Sequence, residues 1–361
     1  MKHEAAKGRG ATLQIEGRFE SVKRERIDDG WSTADEELPP FRTTVTVERA
    51  KSVIQRQDAS NPSFSQSLNA YRGCEHGCIY CFARSSHGYL NLSPGLDFET
   101  RLFAKPDAAK LLRAELAKPS YRCASIALGT NTDPYQPIER EWKITRQVIK
   151  VLAECRHPLS IVTKSVLVER DLDLLAQMAR QNLVQVYISV TTLDAELARK
   201  LEPRASSPRR RLQAIARLNE AGVPCGVLVA PVIPFLTDAE LENVLQAAHE
   251  HGARSAGYSL LRLPYEVKEL FEDWLATHYP LKAAHVMNRL REMRGGSDAG
   301  LGSYLSYSDQ FSELLAQRFQ VVCARLGFNL DDAPLDTRSF RAPSRAGQMA
   351  LFQPPAMMGG E

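Results

Sequence analysis

The sequence has no apolar run long enough to cross a bilayer. Its most apolar stretch, V-P-C-G-V-L-V-A-P-V-I-P-F-L at 223–236, is short and broken by prolines. The N-terminus, M-K-H-E-A-A-K-G-R-G, lacks the apolar centre of a secretory signal. No membrane association is expected, and the cytoplasm is the default location. Charge of one sign is also missing. The formal net charge of the 361 residues is +3, so any basic surface for a polyanionic partner has to be local. There is no internal repeat of solenoid length. A disulfide framework is lacking too: seven cysteines are an odd number, and three lie too close together to staple distant segments. A reducing compartment would keep such thiols available for metal.

Apolar residues make up 43% of the chain, enough to build a sizeable core in one large domain or two ordinary ones. Residues 1–60 read as a polar N-terminal extension, with T-T-V-T-V at 43–47 as a candidate strand. From 61 to 265, β-rich runs alternate with helical patterns. The strand candidates are 67–71, 123–128, 159–163, 184–190, 225–230 and 255–261. Helices are signalled by Pro106-Asp107 with Leu112 and Leu116 one turn apart, and by Pro208 with a stop at Gly222. A third helix is signalled by Thr237-Asp-Ala-Glu240, read as a capping box. Six strands alternating with helices predict an α/β fold with a parallel sheet and right-handed crossovers. A barrel, whole or partial, and a doubly wound sheet both satisfy that pattern. Residues 266–330 read as a helical C-terminal region, closed by a helix with Ser308 as N-cap and Gly327 as stop. Residues 331–361 read as a flexible tail.

The strongest chemical signal is G-C-E-H-G-C-I-Y-C at 73–81. Cys74, Cys78 and Cys81 are spaced C-x3-C-x2-C, and Gly73 and Gly77 permit a tight turn that converges three thiolates on one site. Zinc in a structural site wants four ligands, for which His76 or His87 is the candidate fourth. A [4Fe–4S] cluster is also held by cysteine thiolates, and three ligands leave one iron open to a small molecule. Idle thiols at this spacing would be oxidisable, so the unliganded reading is the weakest.

In its alternating β/α context, this motif resembles that of the radical S-adenosylmethionine (radical SAM) superfamily, down to the aromatic Tyr80 before the last cysteine. The stretch S-L-N-A-Y-R-G-C-E-H-G-C-I-Y-C-F-A, with G-T-N-T-D-P-Y-Q-P-I-E at 129–139, resembles more narrowly the branch that includes spore photoproduct lyase. The resemblance implies a partial (β/α)6 TIM-like barrel with chemistry at the carboxyl ends of its strands. It implies a [4Fe–4S] cluster on Cys74, Cys78 and Cys81, with SAM on the fourth iron. It also implies reductive cleavage of SAM to a 5′-deoxyadenosyl radical, fed by a flavodoxin- or ferredoxin-like reductant protein.

The same resemblance marks candidate SAM contacts. Where the superfamily commonly has Gly-Gly-Glu, this chain has Gly129 followed by Thr130, Asn131, Thr132 and Asp133, which can accept from an ammonium. Ser189 and Thr191, in S-V-T-T-L-D at 189–194, are candidates for the ribose or methionine part, while Thr192 to Asp194 also suit a helix cap. Arg204 and Arg211, in L-E-P-R-A-S-S-P-R-R-R, are candidates for the SAM carboxylate against the plainer reading of a solvated basic face. Val229, Pro231 and Ile233 suit either the adenine or the core. Cys123, Cys155, Cys225 and Cys323 are isolated and read as buried structural cysteines.

Two departures bear on substrate. Thr130 stands where the lyase has its hydrogen-donor cysteine, and Phe82 where it has a tyrosine. The cofactor chemistry is therefore expected to carry over, and the photoproduct relay is not. A nucleic-acid substrate and a DNA-repair setting are expectations from the branch alone. In the tail, Q-M-A-L-F at Gln348–Phe352 resembles sliding-clamp docking peptides, and Arg338, Arg341 and Arg345 are candidate phosphate contacts. The competing reading is a zinc- or cluster-stabilised module that binds nucleic acid or the clamp without SAM chemistry.

Overall fold

A computed structural model describes residues 9–13, 15, 17–19, 42–56, 64–296, 298–302, 309–330 and 333–343. Its strands are β1 (Thr44–Val47), β2 (Ile54–Arg56), β3 (Gln66–Leu68), β4 (Tyr71–Arg72) and β5 (Arg101–Ala104). They continue as β6 (Ile126–Leu128), β7 (Leu159–Thr163), β8 (Val184–Ser189), β9 (Cys225–Val232) and β10 (Ser255–Leu260). The larger sheet runs β10-β9-β8-β7-β6-β3-β2. Its pairings are parallel from β3 to β10, and β2 adds an antiparallel edge on β3.

The six parallel strands lie in the order in which they occur in the chain. A doubly wound sheet would reverse that order at a switch point. The order is that of a barrel, and because β10 and β2 end the sheet unpaired with each other, the barrel is partial. Buried positions explain why these runs are strands. β6 is buried throughout, and in β8 buried Val184, Val186 and Ile188 alternate with half-buried Gln185 and Tyr187. Gly226 on β9 leaves room for the Tyr187 ring, since a Cβ there would meet it at 2.6 Å.

Several local expectations differ from the structure. The single strand expected at 67–71 is two. β3 ends at Leu68, Asn69 turns its amide toward Thr130 and Asn131, and β4 pairs antiparallel with β5 in a separate three-stranded sheet. The capping box does not form. Thr237 accepts from Ile233 N–H at 2.8 Å, and Glu240 instead takes the Thr192 hydroxyl and Leu193 N–H at 2.6 and 2.8 Å. The helix Gln310–Leu326 is capped by Asp309, which accepts from Ser312 N–H, while Ser308 lies outside the described residues. Its stop at Gly327 is as expected, with φ of +72°.

Residues 10–11 and the stretch 333–343 also touch the barrel. Gly10 and Ala11 donate their N–H groups to Glu99 at 3.0 and 2.9 Å. In the C-terminal stretch 333–343, Asp336 N–H meets Asn182 O, Arg341 N–H meets Cys155 O, and Phe340 packs on Tyr121 and His157. That stretch was expected to be part of a flexible tail, but it lies along the amino-terminal side of β7 and β8. The Gln348–Phe352 peptide and Arg345 lie outside the described residues.

Candidate active site

The three cysteines occupy one loop between β4 and the 3-10 helix Phe82–Leu90. Gly73 and Gly77 have φ of +74° and +66°, and their absent side chains matter. A Cβ on Gly73 would meet Leu102 at 2.6 Å, and one on Gly77 would meet Glu99 at 2.7 Å. Two turns, Gly77 N–H to Cys74 O and Cys81 N–H to Cys78 O, shape the loop that carries the thiols. Cys74 and Cys78 are buried, Cys81 is half-buried, and none is in a disulfide.

Burial raises the pKa of all three thiols. Backbone N–H groups oppose it: that of Asp133 toward Cys74, and those of Ala83 and Arg84 toward Cys81. Such donors favour thiolate and suit sulfur bound to iron. Among the described residues, no three His, Cys, Asp or Glu side chains converge as they would around a single metal ion. His76 and His87 each have one ring nitrogen engaged, and the other nitrogen of His87, Nδ1, is buried without a hydrogen-bond partner. His76 Nδ1 lies 3.3 Å from Asp133, and His87 Nε2 lies 3.0 Å from Arg101 O.

A buried scaffold fixes the loop from below. Arg84 uses all five donors: Nε to Cys78 O, Nη1 to Pro94 O and Gly95 O, and Nη2 to Gly77 O and Glu99. From the side, Thr132 donates to Gly73 O at 2.6 Å. Gln136 spans the loop, donating to the same carbonyl and accepting Glu75 N–H at 2.9 Å. The segment expected to meet SAM thus first holds the cysteine loop.

The candidate side chains sort themselves by what they already bind. Asp133 is filled by protein donors: Thr163 hydroxyl, Lys164 N–H, Tyr135 N–H and His76. These hold its carboxyl near a pKa of about 2 against the opposing effect of burial, and they make it a positioning residue rather than an ammonium acceptor. Thr130 and Asn131 meet Asn69 through the Thr130 hydroxyl and the Asn131 N–H. Arg211 is likewise committed. Its guanidinium is buried and reaches Ser206 O, Ser189 O and the Glu202 carboxylate, so it offers no open fork. Arg204 is more exposed and lies 3.2 Å from Glu75. Asp194 proves to be a helix cap, and Val229, Pro231 and Ile233 are buried. Of the isolated cysteines, Cys155, Cys225 and Cys323 are buried and Cys123 only half so.

Sequence reading missed the residue at the centre. Lys164, directly after β7, reaches Ser189 Oγ at 2.7 Å and Ala230 O at 3.4 Å, and stands 3.9 Å from Glu202. Its Nζ also sits 5.7 Å from the Tyr80 ring centroid. Glu202 gathers Arg211, Lys164 and the hydroxyls of Tyr80 and Thr191 in one buried network, and its carboxyl is held near about 2 despite burial. Lys164 is engaged as Arg211 is, but its side chain is 16% exposed against 2%, so this cation can exchange a partner for an incoming carboxylate. The only signal in sequence was a lone lysine ending an apolar strand, which seldom marks a site.

Comparison with known proteins agrees with this geometry. The chain matches the radical SAM superfamily over residues 68–248. The chain belongs to the radical SAM superfamily. An uncharacterized protein of Mycobacterium tuberculosis is 39% identical over 287 residues, covering 78% of this chain and 81% of that one. A protein of Pseudomonas phage M6 named Radical SAM Nalpha-GlyT isomerase is 27% identical over 53% of this chain and 39% of its own length. Among solved structures, spore photoproduct lyase complexed with dinucleoside spore photoproduct superposes with a TM-score of 0.58 at 17% identity, covering 82% of this chain and 85% of that one. At that identity the likeness is one of fold. The protein is a radical SAM enzyme, and the cofactors of its family are a [4Fe–4S] cluster and S-adenosylmethionine. Among the described residues no helix is long and apolar enough to cross a membrane.

Proposed function

We propose that Cys74, Cys78 and Cys81 hold a [4Fe–4S] cluster with one iron left for SAM, and that the enzyme abstracts hydrogen from a nucleic-acid substrate. The observation that carries the cofactor part is the join of two features at one strand-end face. Three thiols on a glycine-shaped loop, two buried and one half-buried, flank Tyr80 in sequence, and Tyr80 stands beside the Lys164 ammonium. When bound, such a cluster supplies the electron that splits SAM into methionine and a hydrogen-abstracting 5′-deoxyadenosyl radical.

The chain's residues have distinct duties in this reading. Lys164 pairs with the SAM carboxylate, with Ser189 and Thr191 as neighbouring hydroxyls. Carbonyls of the Thr130 to Asp133 segment accept from its ammonium. Arg204 is placed to adjust the loop through Glu75. Arg84 and Gln136 hold the loop still. Radical SAM enzymes need a reductant, here a flavodoxin- or ferredoxin-like protein. The nucleic-acid assignment is supported by the fold shared with a lyase that binds a dinucleoside. Thr130 and Phe82 set this chain apart from that lyase's relay, so nucleic-acid repair or modification other than photoproduct reversal is favoured.

The test is anaerobic reconstitution followed by dithionite and SAM, with 5′-deoxyadenosine as readout and Cys78→Ala alongside. Product that requires all three cysteines supports the reading. A fully loaded cluster without product, or a colourless zinc protein, overturns it.

A further inference from the structure

Four exposed aromatic rings, Phe19, Phe82, Tyr89 and Tyr265, are linked around the segment that follows the cysteine loop. Among the described residues, the large exposed aromatics are Phe19, Phe82, Tyr89, Phe235 and Tyr265. All but Phe19 sit on segments that follow the cysteine loop or the carboxyl ends of β9 and β10, and Phe19 stacks on Tyr89 at 5.2 Å. Phe82 directly follows Cys81 and is 40% exposed, while Tyr89 and Tyr265 are 67% and 66% exposed.

Arginines link Phe19, Phe82, Tyr89 and Tyr265, whereas Phe235 packs against His285 and Phe311. The Arg18 guanidinium lies 3.6 Å from the Tyr265 centroid and within 5.7 Å of Tyr89 and Phe19. The Arg262 guanidinium lies 5.0 Å from the Phe82 centroid. Arg262 and Tyr265 share the short loop after β10, so that loop joins the Phe82 end of the patch to the Tyr89 end. One of these rings is held on an unusual backbone. Tyr265 has φ of +52°, a region bulky side chains avoid, and strain of this kind collects at functional positions.

We propose that this rim is a stacking platform for the unpaired bases of a single nucleic-acid strand, which it feeds to the cysteine end of the barrel. The proposal deepens the functional reading above and rests on it for the direction of feeding only. Exposed rings with an arginine beside them accept bases without regard to sequence. A duplex cannot use them, because its bases are already stacked inside. Chemistry on a base equally requires that the base leave the stack. Arg18 is 2.8 Å from Glu266, which lowers its pull on phosphate, so binding is led by stacking and depends only modestly on salt.

The experiment is fluorescence anisotropy with a labelled oligothymidylate 12-mer and a matched 12-bp duplex, using cluster-loaded protein without reductant. Because no turnover occurs, the readout does not depend on whether 5′-deoxyadenosine can form. The expected result is tighter binding of the single strand. Tyr265→Ala, Tyr89→Ala and Phe82→Ala should each weaken it roughly 5- to 100-fold, and Tyr89→Trp should retain it. Tyr89 guards against misfolding as the explanation, since it does not share the strained backbone of Tyr265. Equal binding of duplex and single strand, or unchanged affinity in folded Tyr89→Ala and Phe82→Ala proteins, overturns the proposal. So does selective binding of a peptide in place of the oligonucleotide.

Discussion

Arg84 Nη2 and Glu99 Oε1 lie 2.5 Å apart, with neither side chain exposed. The pair is the floor of the cysteine loop. Arg84 holds the Gly77 and Cys78 carbonyls, while Glu99 holds the N-terminal segment through Gly10 and Ala11. Removing one partner leaves a buried charge uncompensated, which destabilises a fold by about 3–5 kcal/mol. Arg84→Met is expected to lose about that much in urea unfolding and to reconstitute with less iron per chain. Arg84→Lys should recover little, because one ammonium cannot meet five acceptors in a fixed fork.

The Lys164 ammonium lies 5.7 Å from the Tyr80 ring centroid on the strand-end face. Lys164→Met should weaken SAM binding roughly 10- to 100-fold, the size of a lost charge-assisted hydrogen bond. Calorimetric titration of SAM into cluster-loaded protein checks this, with iron content as the control. Arg211→Lys should act differently. It disturbs the buried Glu202 network and lowers stability before it lowers affinity.

His157 gives the fold a dependence on pH. It is fully buried between Tyr121 and Phe340, and burial depresses its pKa to about 4 although Pro158 O favours the proton. In the unfolded chain the value is about 6.5. The unfolded state therefore takes up a proton first as pH falls. The contribution is complete above about 6.5 and is lost progressively as pH falls toward 4. By this linkage stability should drop by about 2 kcal/mol between pH 7 and pH 5. Urea midpoints at the two pH values should show a smaller difference in His157→Gln than in the parent.

Tyr265 adopts φ +52° and ψ −125°, a conformation nearly reserved for glycine. Tyr265→Gly should relieve that strain and raise stability by about 1 kcal/mol after the entropy of glycine is deducted. The same variant should bind the oligothymidylate less well. A thermal melt and an anisotropy titration on one preparation test both halves.

The sequence by itself determined the elements and the family. Cysteine spacing with Gly73 and Gly77 is a local property, so the loop was legible at once. Six strands alternating with helices were equally legible, because burial of a sheet between layers writes continuous apolar runs into the chain. Strand order was not, since several windings bury the same runs. Side-chain roles were legible only where partners are close in sequence, as with Asp194 and its helix. Glu202 and Arg211 meet across nine residues, Lys164 and Ser189 across twenty-five, and Arg18 and Tyr265 across the whole barrel. Whether an arginine is an open fork or a buried counter-ion depends on which carboxylate the fold delivers to it. Long-range packing makes that choice, so only the tertiary structure could show Arg211 committed to Glu202 and the Lys164 ammonium beside Tyr80.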